Sequence, residues 1–220
     1  MVSQYKLTSI LFICSSIIFA CVAQDSTTSS MLDKKVRSFL KANKKSWHDM
    51  NVPESDGETL YNLIIKNSYK NALEIGTSTG HSGIWMAWAL SKTGGKLTTI
   101  EINKNRYEKA LSNFREAGLA EYIDARLGDA HQLVKELEDS FDFIFVDADK
   151  NWYRRYLELL YPKLEVGGCF TAHNVLNTYM AGIQEFLDYL VNLSYFKTSI
   201  TKSSSSGISV SYKIADKPEK

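Results

Sequence analysis

From residue 58 onward the apolar positions switch repeatedly between helical and strand spacing, with few breakers between them. Glu58 to Asn67 carries helical spacing, and Asn71 to Ile75 is a short apolar run of strand type. His81 to Lys92 is expected as a helix, Lys96 to Glu101 as a strand, and Lys104 to Ala117 as a helix with Tyr107, Ala110, Leu111 and Phe114 on one face. Ile123 to Leu127, Phe141 to Val146 and Cys169 to Ala172 supply three more strands, separated by helices near His131 to Leu137 and Tyr153 to Leu164. Units alternating in this way imply a parallel sheet with helices on both faces. The end of the chain breaks the rhythm: Phe196 to Thr201 and Ile208 to Ile214 flank Ser203-Ser204-Ser205-Ser206-Gly207, the geometry of a hairpin. The pattern predicts an α/β fold, a doubly wound and mostly parallel seven-stranded sheet with a C-terminal antiparallel hairpin.

The first residues differ in kind. Lys6 precedes an apolar run from Leu7 to Ala23, broken only by Thr8, Ser9, Ser15 and Ser16, and Asp25 to Ser30 is polar and small. This resembles a secretory signal peptide. Export to a periplasmic, secreted or lipid-anchored location is the expectation. The alternative is a retained membrane anchor with a cytosolic catalytic domain, because positive charge is heavier after the run than before it. The expected organisation is a signal or anchor over 1–23, a linker and N-terminal helix over 24–45, one domain over 46–214, and a tail over 215–220.

Composition narrows the partners. The 220 residues are 44% hydrophobic and 23% charged, enough for a sizeable core, and the net charge is +1. With no basic stripe or aromatic-basic interleaving, nucleic acid is not expected as a partner. The densest basic cluster, Lys34, Lys35, Arg37, Lys41, Lys44 and Lys45, suits the solvated face of an amphipathic helix. Cys14 and Cys21 lie in the apolar run, and Cys169, in an expected buried strand, reads as a small core residue.

In sheets of this kind ligands bind beyond the carboxyl ends of the strands. Polar residues follow every expected strand: Gly76 to Ser82, Glu101, Gly128 to His131, Asp147 to Lys150, and His173-Asn174. Gly76 and Gly80 allow a ligand close to the main chain, and a carboxylate one strand later, Glu101, suits vicinal ribose hydroxyls. The glycines fall as G-x-x-x-G-x-x-G over Gly76, Gly80 and Gly83, which is not the dinucleotide fingerprint. No tyrosine has a lysine four residues later, so a short-chain nicotinamide reductase is not written either. Trp85 and Trp88 are expected in the core, and Trp47, Trp152 and Tyr153 are candidates for an aromatic wall around a planar ligand.

The motifs LEIGTSTGHSG, TTIEIN, GDA, FIFVDADKNWY and HNV, in this order, resemble the cation-dependent O-methyltransferases, the family of the caffeoyl-CoA and catechol O-methyltransferases. The resemblance implies a Rossmann-like fold, S-adenosylmethionine as cofactor, a small phenolic or catechol-like acceptor and a homodimer. It places Glu74, Gly76, Ser78 and Ser82 around the methionine part of the cofactor, Glu101 on the ribose, Asp129 and Ala130 beside the adenine, and Val52 near the methyl group. It implies that Asp147, His173 and Asn174 hold a divalent cation and that Lys150 is the general base. His173 departs from the pattern, since the family carries an aspartate there. Mg²⁺ prefers hard oxygen ligands, so an imidazole shifts the expectation toward Mn²⁺ or another transition metal. Two alternatives stay open: transfer without a metal, with His173 as the base, or a binding protein without turnover.

Overall fold

The computed structural model describes residues 29–217. The signal or anchor expected over 1–23 and the last three residues of the tail lie outside the described residues. Among those described, no helix is long and apolar enough to cross a membrane.

A first helix, α1, covers residues 29–42. It is followed by α2 (Glu54–Asn67), β1 (Asn71–Ile75), α3 (His81–Thr93), β2 (Lys96–Glu101), α4 (Lys104–Ala117), β3 (Ile123–Leu127) and α5 (Ala130–Glu136). Then come β4 (Phe141–Val146), α6 (Tyr153–Leu160), β5 (Leu164–His173), α7 (Ile183–Val191), β6 (Phe196–Thr201) and β7 (Ile208–Lys213). The seven strands form one sheet in the order β3-β2-β1-β4-β5-β7-β6. The first five are parallel, and β7 runs antiparallel to both β5 and β6. The chain order reverses between β1 and β4, which opens a crevice at their carboxyl ends.

The central strands are apolar because both of their faces are covered. In β1 and β4 every residue but Asn71 and Asp142 is buried. One face of the sheet carries Leu73, Ile75, Ile144 and Val146 against Tyr153, Tyr156 and Phe186 from α6 and α7. The other carries Ala72, Phe143, Phe145 and Cys169 against Leu60, Ile64 and Met86 from α2 and α3. Trp85 and Trp88 are buried among α1, α3 and α4. Asn103 caps α4 by accepting from Arg106 N–H at 3.1 Å.

Three elements differ from the sequence pattern. Helix α2 starts at Glu54, not Glu58. Gly57 sits inside this helix, where the Trp85 ring fills the space of a Cβ. Strand β5 starts at Leu164, and its extension reaches β4 across a register shift between Phe141 and Phe143, with Gly167 at φ +89°. Helix α7 forms where no element is expected. Its buried Ile183, Phe186 and Leu190 have helical spacing, but Gly182 at its start supplies no capping side chain to announce it.

Candidate active site

A cavity of about 830 Å³ opens at the carboxyl ends of β1 to β5. One half is built from backbone and a single acidic anchor. Gly76 takes φ +98° and crosses so close to β4 that a Cβ would overlap the Asp147 carbonyl oxygen. Ser78, at φ 48°, turns its N–H onto Glu101 Oε2 at 2.7 Å, and Asn103 N–H donates to Glu101 Oε1 at 2.8 Å. Two main-chain donors therefore fix the Glu101 carboxylate at the cavity wall, with acceptor capacity left for a ligand. Asp129 and Ala130 line the same half, Asp129 capping α5 by accepting from His131 N–H at 2.9 Å.

A strap closes over this loop. Asp49 accepts two bonds from Arg106, at 2.9 and 2.7 Å, and its carbonyl accepts from the Ser78 hydroxyl. Asn51 donates to Thr79 Oγ1 at 2.7 Å. Met50 and Asn51 thereby line the cavity. Val52 does not: it is 2% exposed and packs in the core. Its carbonyl holds His81 Nδ1 at 2.8 Å, while His81 Nε2 accepts from Trp85 at 3.1 Å. With one ring nitrogen donating and one accepting, His81 is neutral, and burial holds its pKa below the usual histidine value.

Glu74 and Ser82 also lie outside the cavity lining, beneath the loop. Glu74 is fully buried and accepts from Ser82 at 2.5 Å and Thr99 at 2.6 Å. Burial pushes Glu74 up to about 7 against the pull of those two bonds, with the charges of Asp147 and Glu101 adding to the rise. A carboxyl raised on folding stabilises the fold most below its unfolded value of 4.5, and that stability is lost as pH rises through about 7. Glu74→Gln keeps the shape without the charge. The difference in Tm between variant and wild type is expected to shift in the variant's favour from pH 4.5 to pH 7 and above. Parallel Tm curves would refute the assignment.

The other half of the cavity is a chain of charged groups. Lys150 Nζ donates to Asp147 Oδ1 at 2.7 Å, and His173 Nδ1 lies 3.1 Å from Asp147 Oδ2. On its far side His173 Nε2 lies 2.8 Å from Oδ2 of Asp56, which is fully buried in the first turn of α2. Asp56 also accepts from Ser203 at 2.5 Å and Ser204 at 2.7 Å, in the turn between β6 and β7. Burial works against a charged His173, but the bonds and charges of Asp147 and Asp56 outweigh it and push the imidazole up to about 9. The same contacts overcome burial and hold both aspartates below the usual carboxylate range.

This geometry corrects the expectation for His173. Both ring nitrogens face carboxylates, which favours the imidazolium, and an imidazolium has no lone pair for a metal and none for a proton. Asp147 has one oxygen on Lys150 and the other on His173. Asn174, at φ 62°, lines the cavity beside them. The residues expected to hold a divalent cation therefore do not fit one in this arrangement, and among the described residues no group of three His, Cys, Asp or Glu side chains is set to hold a metal. Asp56, Asp49 and Arg106 were not expected at the site. The aromatic wall is also differently made: Tyr153 is fully buried, and Trp47 stacks on His81 at 4.5 Å. His131, stacked on Trp152 at 3.7 Å, and Tyr156 line the cavity instead.

A family model described as O-methyltransferase matches residues 23–209. The chain belongs to the O-methyltransferase family. Its alignment with caffeoyl-CoA O-methyltransferase 1 of Eucalyptus globulus is 38% identical over 138 residues, 60% of this chain and 56% of that protein. The chain thus spans a little over half the length of the curated relatives it matches. An O-methyltransferase from Bacillus cereus, solved in complex with SAH, superposes with a TM-score of 0.71 at 25% identity, covering 87% of this chain and 97% of that one. TomG, an O-methyltransferase of Streptomyces achromogenes solved with SAM, gives 0.70 at 26% identity, covering 88% and 96%. These O-methyltransferases agree with the resemblance carried by the motifs from LEIGTSTGHSG to HNV.

Proposed function

We propose that the protein transfers the methyl group of S-adenosylmethionine to a hydroxyl of a small phenolic, catechol-like acceptor. The observation that carries this is one cavity with two unlike halves: a backbone loop with the anchored Glu101, and a lysine set beside a buried carboxylate at the next strand end. Glu101 binds the ribose hydroxyls, the loop at Gly76 and Ser78 borders the methionine part, and Asp129 and Ala130 flank the adenine.

A sulfonium methyl needs an electron-rich oxygen aligned behind it, and a phenol at neutral pH is mostly protonated. Lys150, paired with Asp147, first gives up one proton to solvent; the amine then accepts the hydroxyl proton, and Asp147 stabilises the ammonium that results. The acceptor oxygen then forms its bond to the methyl carbon as the carbon–sulfur bond breaks, leaving S-adenosylhomocysteine. A divalent cation would lower the acceptor's pKa in the same place, but the donor set described above does not fit one, and no step is assigned to it.

Calorimetry with S-adenosylhomocysteine tests the reading. Wild type binds it, and Glu101→Ala is expected to weaken binding by roughly 10- to 100-fold, the loss of hydrogen bonds to a charged group. Failure of the wild type to bind, or to methylate any of a panel of catechols, would sink the proposal.

A further inference from the structure

Three features outside the assigned roles stand out: the small cavity of about 290 Å³ beside Trp47 and His81, the His131–Trp152 stack, and the buried link from Asp56 through His173 to Asp147. The third carries an inference. We propose that the His173 ring, held between Asp56 and Asp147, is a built-in cation standing in the place of a divalent metal ion, so that methyl transfer by this protein is cation-independent and Asp56 is a positioning residue for it. This rests on the proposed transfer for its kinetic consequences, and on geometry alone for the centre itself.

The proton count comes from the hydrogen bonds. Asp56 accepts from Ser203 on one oxygen and from Ser204 on the other, which favours the carboxylate, and His173 Nε2 faces the second of these oxygens at 2.8 Å. Asp147 accepts from Lys150 on one oxygen and faces His173 with the other. Both ring nitrogens must then donate, which makes His173 an imidazolium. His81 is the contrast within the same molecule: with a carbonyl on one nitrogen and an indole N–H on the other, it needs only one proton.

The groups facing His173 come from four places. Asp56 approaches from α2 and Asp147 from the end of β4, with Lys150 behind it. Ser203 and Ser204 stand behind Asp56 in the turn between β6 and β7, and the Phe145 ring lies 6.2 Å away. His173 lines the cavity, but both of its ring nitrogens are turned onto carboxylates, so it acts through Asp147. A positive charge fixed behind that carboxylate holds its orientation, and through it the position of Lys150. A divalent cation bound at this spot would have to displace the imidazolium from Asp147 and would leave Asp56 buried without its partner, at a large desolvation cost. The fold therefore disfavours the metal by occupying its place.

The experiment uses the full chain. Nitrogen-15 spectra of the histidine rings are expected to show two N–H signals for His173 at neutral pH, and calorimetry of wild type with Mg²⁺, Mn²⁺ and Zn²⁺ is expected to show no site. Both are read without turnover, so they judge the centre even if S-adenosylhomocysteine binding fails and the proposed transfer falls with it. Activity is expected to survive exhaustive chelation. Asp56→Asn is expected to lower kcat by roughly 10- to 100-fold with cofactor affinity unchanged, and Asp56→Glu to recover part of the loss. His173→Asp replaces the built-in cation with an oxygen ligand beside Asp147 and Asn174, and this variant is expected to gain Mg²⁺ or Mn²⁺ binding that wild type lacks. A single ring N–H on His173, a stoichiometric cation in wild type, or wild-type kcat in Asp56→Asn would each overturn the proposal.

Discussion

Lys150→Met is expected to lower kcat by about 10²- to 10⁴-fold, the range for removing a general base, while affinity for S-adenosylhomocysteine stays at the wild-type value. Lys150 Nζ lies on the cavity wall, 2.7 Å from Asp147 and 5.5 Å from the centre of the Tyr153 ring. Methionine keeps the length and apolar stem of the side chain and removes only the amine. If Lys150 takes the proton, its absence matters in proportion to how tightly the acceptor holds that proton. The deficit is therefore expected to shrink for nitro-substituted catechols, already ionised at the assay pH. Steady-state rates across a series of acceptors of graded acidity make the check. An equal loss on every acceptor would show that Lys150 shapes the site without accepting the proton, and a kcat within threefold of wild type would remove it from the mechanism.

Much of the fold was legible because the strands here are short, apolar and bounded by turn residues. Asn71 to Ile75, Lys96 to Glu101 and Phe141 to Val146 are buried on both faces, so composition alone separates them from the amphipathic helices. The hairpin was legible for a similar reason, a run of four serines and a glycine between two alternating segments. The elements that escaped notice are those whose punctuation is misleading. Gly57, a poor helix residue in sequence, is a helix–helix contact in space, and Gly182 begins α7 without a cap.

The site divides along the same line. Gly76, Ser78, Glu101, Asp129, Ala130, Asp147, Lys150, His173 and Asn174 all reach the cavity because each ends or follows a strand, a rule that needs only local information. The state of His173 was not legible, because its second partner, Asp56, is 117 residues away and stands among acidic residues ordinary for the first turn of a helix. Glu74 and Ser82 carry the converse lesson. They stand in the loop motif, but their side chains face down into the sheet, where they hold the loop from below.

Gly76→Ala is the substitution expected to damage the protein most broadly. Two costs coincide there. The backbone sits at φ +98°, where an L side chain is strained by about 1–3 kcal/mol. The added methyl would also meet the Asp147 carbonyl oxygen, main chain directly after central strand β4 and not the end of a flexible side chain, which adds overpacking of about 1–3 kcal/mol. Together these are expected to lower Tm by roughly 5–20 °C for a chain of this size. Relief by moving the end of β4 would carry Asp147 with it, and relief by moving the loop would pull Ser78 N–H off Glu101. Either way, affinity for S-adenosylhomocysteine falls together with stability. Gly94→Ala separates the two costs, because Gly94 also has positive φ, +75°, but nothing within 4 Å of the new methyl. Calorimetric melting of the two variants side by side is the measurement: Gly94→Ala loses only the backbone component, and equal losses in the two would show that the close crossing of the loop over β4 contributes nothing to holding the site together.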